Sequence, residues 1–183
     1  MSKTTTLGRP SSGEGEADTF GRLRPYARRM ALDPTLVRAQ YPAMVPMVST
    51  LGIEFASLDE RSCTMLLPDD APYRNHVGGP HAGAMWTLAE SASGALVFVN
   101  FGDLMADVTP FPVEATIRFL KVALGPVSAT ATLGSAAADA VATLESGKRP
   151  EFPVEIELST GSGEDRLVTG SMTVTWTLKL NRR

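Results

Sequence analysis

NHVGGPHAGAMWTLAESASG, running from Asn75 to Gly94, decides the fold of this chain. It passes from a glycine-rich turn into a long apolar segment that holds a single carboxylate, Glu90. From Ala82 to about Val99 no strand-like alternation occurs. Met85, Leu88, Ala92, Leu96 and Val99 recur at spacings of three and four, which predicts a helix. Trp86, Glu90, Ser93 and Val97 form a neighbouring stripe. A helix that is apolar all round is enclosed by other structure. In so short a chain, that enclosure calls for a sheet wrapped around the helix, or a sheet plus a partner subunit.

The turn and the acid each have a chemical reading. Gly78, Gly79, Pro80 and Gly83 surround His81, and proline suits a helix start. The first helical turn leaves backbone N–H groups without partners at the positive end of the helix dipole. Such donors suit a carbonyl oxygen that gains charge during attack, and they equally suit a plain cap. A carboxylate on an apolar helix costs free energy or is pushed up in pKa. In a dry cleft it can act as base or nucleophile; a structural hydrogen bond is the alternative. Glu90 follows His81 by nine residues, about 14 Å along a helix at roughly 1.5 Å per residue. The two groups therefore do not meet within one subunit, and cooperation between them requires a symmetric dimer.

Outward from this segment the pattern changes. Upstream, ALDPTLVRAQY predicts a helix with Asp33 as cap and Pro34 in its first turn, and Pro42 and Pro46 are expected to break up the chain beyond it. LGIEFASLDE and SCTMLLP read as two strands joined by a turn at Asp59-Glu60-Arg61, and DDAPYRNHVGGP as a loop. Downstream, PVEATIRFLKVAL and VSATATLGS read as strands about a Gly125-Pro126 turn. SAAADAVATLESGK is a short helix capped by Ser135 and stopped by Gly147, or more strand, or an excursion. FPVEIELST and LVTGSMTVTWTLKL close the chain as strands. Strands and helices do not alternate, which excludes a doubly wound sheet. The expectation is an α+β fold, a curved antiparallel sheet wrapped around a long central helix. Residues 1–20 read as a disordered tail, 21–47 as an N-terminal helical extension and 48–183 as the main domain.

Composition narrows the function classes. With 17 basic and 20 acidic residues, a net charge of −3 and no basic stripe, nucleic acid is not expected as a partner. Cys63 is the single cysteine, which excludes an internal disulfide and a multi-cysteine metal site; its strand context reads as core. The histidines, His76 and His81, do not match a zinc spacing with Glu90, so no metal is expected. The first 30 residues contain no apolar run, so the expected location is the cytoplasm. Ala84 to Phe101 comes nearest to a membrane span, but Glu90 and its many small residues favour a buried helix, so no span is expected.

Asn75, His81-Ala82-Gly83 and Leu88-Ala89-Glu90-Ser91, with Asn six positions before the His and the acid nine after it, resemble the hotdog-fold acyl-CoA thioesterases related to the phenylacetate-pathway enzymes. VEATIRFLKVALGPVSATATL resembles the next strand pair of that family, and the likeness covers roughly residues 48 to 180. The resemblance implies hydrolysis of an acyl-CoA thioester to a free acid and coenzyme A, with coenzyme A as part of the substrate and no further cofactor. It implies N–H groups of Ala82 or Gly83 on the thioester carbonyl, Glu90 of the facing subunit as nucleophile or base, Asn75 orienting the carboxylate or water, and His81 supporting the loop or hydrogen-bonding near the thioester. It also implies a homodimer joined edge to edge, with pairing into tetramers. Ala82 stands where the family usually has Gly; its N–H survives the change. Arg74, Arg118 and Lys121 are candidate partners for coenzyme A phosphates. A non-catalytic acyl-thioester binding module and a hydroxyacyl or enoyl thioester dehydratase are the alternatives.

Overall fold

The computed structural model describes residues 31–181. The 1–20 tail and the first ten residues of the N-terminal extension lie outside them. The chain opens with helix α1 (Pro34–Met44) and a short helix α2 (Pro46–Thr50). Strands β1 (Glu54–Leu58) and β2 (Ser62–Leu67) precede the central helix α3 (Ala82–Phe101). Then come β3 (Val108–Phe119), β4 (Val127–Leu133), helix α4 (Ala137–Glu145), β5 (Glu151–Thr160) and β6 (Leu167–Leu180).

The six strands form one sheet in the order β1-β2-β4-β5-β6-β3, antiparallel at every pairing. Helix α3 lies across one face, over β2, β4 and β5, and only touches β6. Alternation puts Val127, Ala129 and Ala131 of β4 inward with Val154, Ile156 and Leu158 of β5. They meet Leu88, Ala92, Leu96 and Val99 of α3, all fully buried. This is the α+β hotdog arrangement that the central stretch predicts. Helix α3 with the turn after it, Ala82–Leu104, is long and apolar enough to cross a membrane by length and composition, yet 67 % of its apolar stretch is buried inside the fold. Cys63 is buried in β2, as its strand context predicts.

Local chemistry explains most element ends. The Asp33 carboxylate accepts from the Thr35 N–H at 2.8 Å, and Pro34 opens α1. The β1–β2 turn is tied by Asp59, whose carboxylate accepts from the N–H groups of Arg61 and Ser62 at 2.7 and 2.8 Å. Gly147, at φ +82°, lies past the end of α4 in the left-handed region that glycine tolerates.

Three readings are corrected. Pro42 does not break α1 but lies inside it. It falls in the last turn, and the buried Val37 and Tyr41 hold the helix against the core, so the lost backbone bond is offset by packing. Of the two prolines only Pro46 marks a break, and it does so by opening α2. Ser135 does not cap α4: Ala136 occupies that position and no side chain caps the helix. Strand β3 begins four residues before Pro112, at Val108, and carries Pro110 and Pro112 within it. An edge strand tolerates proline where the missing N–H would face away from its neighbour, and β3 is an edge strand.

Candidate active site

The helix start is built by a self-bonded loop. The Asn75 N–H donates to the Gly79 carbonyl at 2.7 Å and the Gly78 N–H to the Asn75 carbonyl at 3.1 Å. Gly78 sits at φ +84°, a conformation other residues resist. Asn75 locks the loop from within: Oδ1 accepts from the Val77 N–H at 3.0 Å and Nδ2 donates to the Pro80 carbonyl at 3.1 Å. Gly79 presses so closely on the Ala123 carbonyl that a side chain there would collide with it. The loop is thereby joined to the segment after β3.

His81 is the cap of α3. Its Nδ1 accepts from the Gly83 N–H at 3.0 Å, which in a neutral ring leaves the proton on Nε2. Its carbonyl takes the Ala84 and Met85 N–H groups, and its own N–H donates to the Tyr73 carbonyl at 2.6 Å. Of the two N–H groups that the sequence puts forward, Gly83 is therefore already engaged. Ala82 is exposed, and its N–H has no acceptor among the described residues. A cleft of about 440 Å³ opens at this point, with Asn75, Ala82 and Met85 on one side and Leu120, Lys121 and Val122 on the other.

Glu90 lies two turns along α3 and does not line that cleft. Its side chain is half-buried and has no hydrogen-bond partner among the described residues. Burial pushes its carboxyl above the ordinary range. Of the hydroxyls beside it on the helix, Thr87 and Ser93 are committed elsewhere, while the buried Ser91 hydroxyl has no partner among the described residues. Thr87 donates to the Gly83 carbonyl at 2.9 Å. Ser93 donates to the Glu90 carbonyl at 2.7 Å and accepts from the Trp176 indole N–H at 3.1 Å. The separation from Ala82 to Glu90 is about 12 Å at the usual helical rise.

The structure therefore brings Asn75, His81, Ala82 and Gly83 together with Lys121, and leaves Glu90 apart from them. Arg118 is exposed on β3. Arg74 forms a two-pronged pair with Asp69, both contacts at 3.0 Å. Among the described residues no three His, Cys, Asp or Glu side chains converge as a metal site would need. Sequence reasoning passed over Tyr41, which is buried and donates its hydroxyl to the Ser91 carbonyl at 3.0 Å. The partners lie 50 positions apart, and no local pattern links them.

A single antiparallel sheet folded about one buried helix, with a glycine-rich turn at the helix start and an acid on the helix, defines a hotdog-fold protein of the thioesterase superfamily. The chain belongs to DUF4442, a domain family of unknown function, which matches residues 34–178. Among solved structures it is similar to PA5026 of Pseudomonas aeruginosa, described as a probable thioesterase, at 25 % identity and a TM-score of 0.70, covering 83 % of this chain and 99 % of that one. A thioesterase family protein of Silicibacter pomeroyi shares the fold at 18 % identity and a TM-score of 0.65, covering 81 % of this chain and 100 % of that one. Thioesterase PA1618 of P. aeruginosa, solved as a mutant, does so at 21 % and 0.63, over 84 % and 98 %. No curated protein matches.

Proposed function

We propose that this protein hydrolyses an acyl-CoA thioester to a free acid and coenzyme A in the cytoplasm. The observation that carries the reading is Glu90, a half-buried carboxylate with no hydrogen-bond partner among the described residues, on a helix that carries no other charged side chain. Such a group costs stability and is suited to proton transfer.

The Ala82 N–H polarises the thioester oxygen at the dipole's positive end. His81 and Asn75 hold the loop that presents it, and Gly83 bonds the His81 ring. Glu90 of a second copy takes a proton from water, whose oxygen bonds the thioester carbon. The carbon–sulfur bond then breaks, and the departing thiolate receives that proton. The reach from Ala82 to Glu90 is why two copies are needed. Strand β3 is the edge on which they join: its outer side is unpaired among the described residues, and Phe111, Val113 and Phe119 are exposed along it. Lys121 at the cleft and Arg118 on β3 receive phosphates of coenzyme A. Arg74 contributes only where it exchanges Asp69 for phosphate.

Purified protein assayed on short, medium, long and aromatic acyl-CoAs tests this, with Glu90→Gln alongside and melting curves for both. Turnover by the wild type that is lost in a folded Glu90→Gln protein supports it. A folded wild type that cleaves none of them refutes it. A binding module without turnover is the second reading, and the bond from Gly83 to His81, which removes one of two candidate donors, is what favours it.

A further inference from the structure

The hydrolytic reading needs a group that orients the attacking water, and both polar ends of Asn75 are spent on its own loop. The face of α3 around Glu90 shows what can replace it. Residues four apart on a helix stand over one another, with Cβ atoms about 5–6 Å apart. One turn beyond Glu90 that position is Gly94, which has no side chain. The Tyr41 hydroxyl from α1 fills the space instead, at 2.5 Å from where a Cβ would be. Tyr41 is 2 % exposed, and its ring is held edge-on by Phe55 and Phe98 at 5.9 and 5.7 Å. Its hydroxyl proton goes to the Ser91 carbonyl at 3.0 Å, so the phenol oxygen keeps lone pairs free to accept. The charge of Glu90 is felt at that oxygen and, after burial, contributes to holding the phenol un-ionised. Of the other hydroxyls near Glu90 on α3, Thr87 and Ser93 donate to helix carbonyls, and the buried Ser91 hydroxyl, which has no partner among the described residues, stands about 100° round the helix from Glu90.

Resting on the thioesterase reading, we infer that Tyr41 is a positioning residue that orients the attacking water for Glu90. The water gives one hydrogen to the Glu90 carboxylate as its oxygen bonds the thioester carbon. Its second hydrogen points at the Tyr41 oxygen as a hydrogen bond, and no proton passes to the phenol. Helix α1, outside the sheet, thus supplies a polar group on the face of the central helix that carries Glu90.

The test is Tyr41→Phe, alone and with Gly94→Ser, on whichever acyl-CoA the wild type cleaves. Tyr41→Phe keeps the ring and removes one hydroxyl. The expected result is a fall in kcat of about tenfold, the size of one hydrogen bond, with KM unchanged. Without the hydroxyl, a Cβ at position 94 sits 3.6 Å from both the ring Cζ and Trp176, an ordinary contact. Adding Gly94→Ser then returns a hydroxyl to the same face, and part of the lost rate is recovered. A Tyr41→Phe protein as fast as wild type overturns the role of Tyr41 and leaves the thioesterase reading standing. A fall in rate that tracks a fall in melting temperature, without recovery on adding Gly94→Ser, overturns it too. A wild type that cleaves no thioester overturns both.

Discussion

Glu90 sets a cost in stability that depends on pH. Its carboxyl titrates higher in the folded chain than in the unfolded one, because burial disfavours the charge. Between those two values the folded state holds more protons, so stability falls as pH rises through that window. Glu90→Gln removes the ionisation. The substituted protein is expected to melt higher than wild type at neutral pH, with the gap closing below about pH 4, under the ordinary carboxylate range. Calorimetry across pH reads this directly, and equal melting temperatures at neutral pH would contradict the burial argument. The same displacement puts the acid limb of the rate profile above the usual carboxylate value. At this scale the sequence was a good guide where a residue contradicts its surroundings. A lone charge in an apolar run announces itself, and Glu90 did. Tyr41 did not, because a tyrosine on an amphipathic helix looks the same whether it packs or orients a group 50 positions away.

The start of α3 makes a separable claim. His81, the residue before Ala82, has φ −60° and ψ 138°, the extended backbone that proline requires of its predecessor. Ala82 is the first helical residue, where proline is welcome. Ala82→Pro therefore deletes one N–H and little else. Loss of an oxyanion donor is worth about 10²–10³ in kcat, so turnover should drop by that order while the melting temperature holds. Steady-state kinetics with thermal melts decide it; undiminished kcat would mean the Ala82 N–H plays no part. Elements of strong periodicity, α3 above all, were legible from spacing. The misreadings fell where tertiary contact outweighs local preference. Pro42 stays helical because Tyr41 and Val37 anchor the turn before it, and β3 absorbs two prolines because one of its sides has no strand neighbour among the described residues.

At the scale of the molecule, the helix start and Glu90 serve one reaction only if two copies share the work. Glu90→Gln and Ala82→Pro proteins, each impaired alone, are then expected to regain turnover when unfolded together and refolded as a mixture, because a mixed dimer contains one intact pair. Sedimentation confirms that the mixture assembles. A mixture that forms dimers yet stays inactive would place both groups in the same subunit. The sheet order itself was only partly readable: strand count and antiparallel hairpins come from turn chemistry. That β3 lies at the far edge, paired with β6, comes from long-range pairing across the sheet, which no local stretch encodes.

Cys63 gives this fold a clock. The thiol is fully buried in β2, one strand in from the β1 edge, and burial pushes its pKa up to about 12. A thiolate-seeking reagent can modify it only while that corner is open and the thiol has regained its ordinary acidity. The labelling rate under native conditions then times how often β1 lifts away, from a single atom and without an introduced probe.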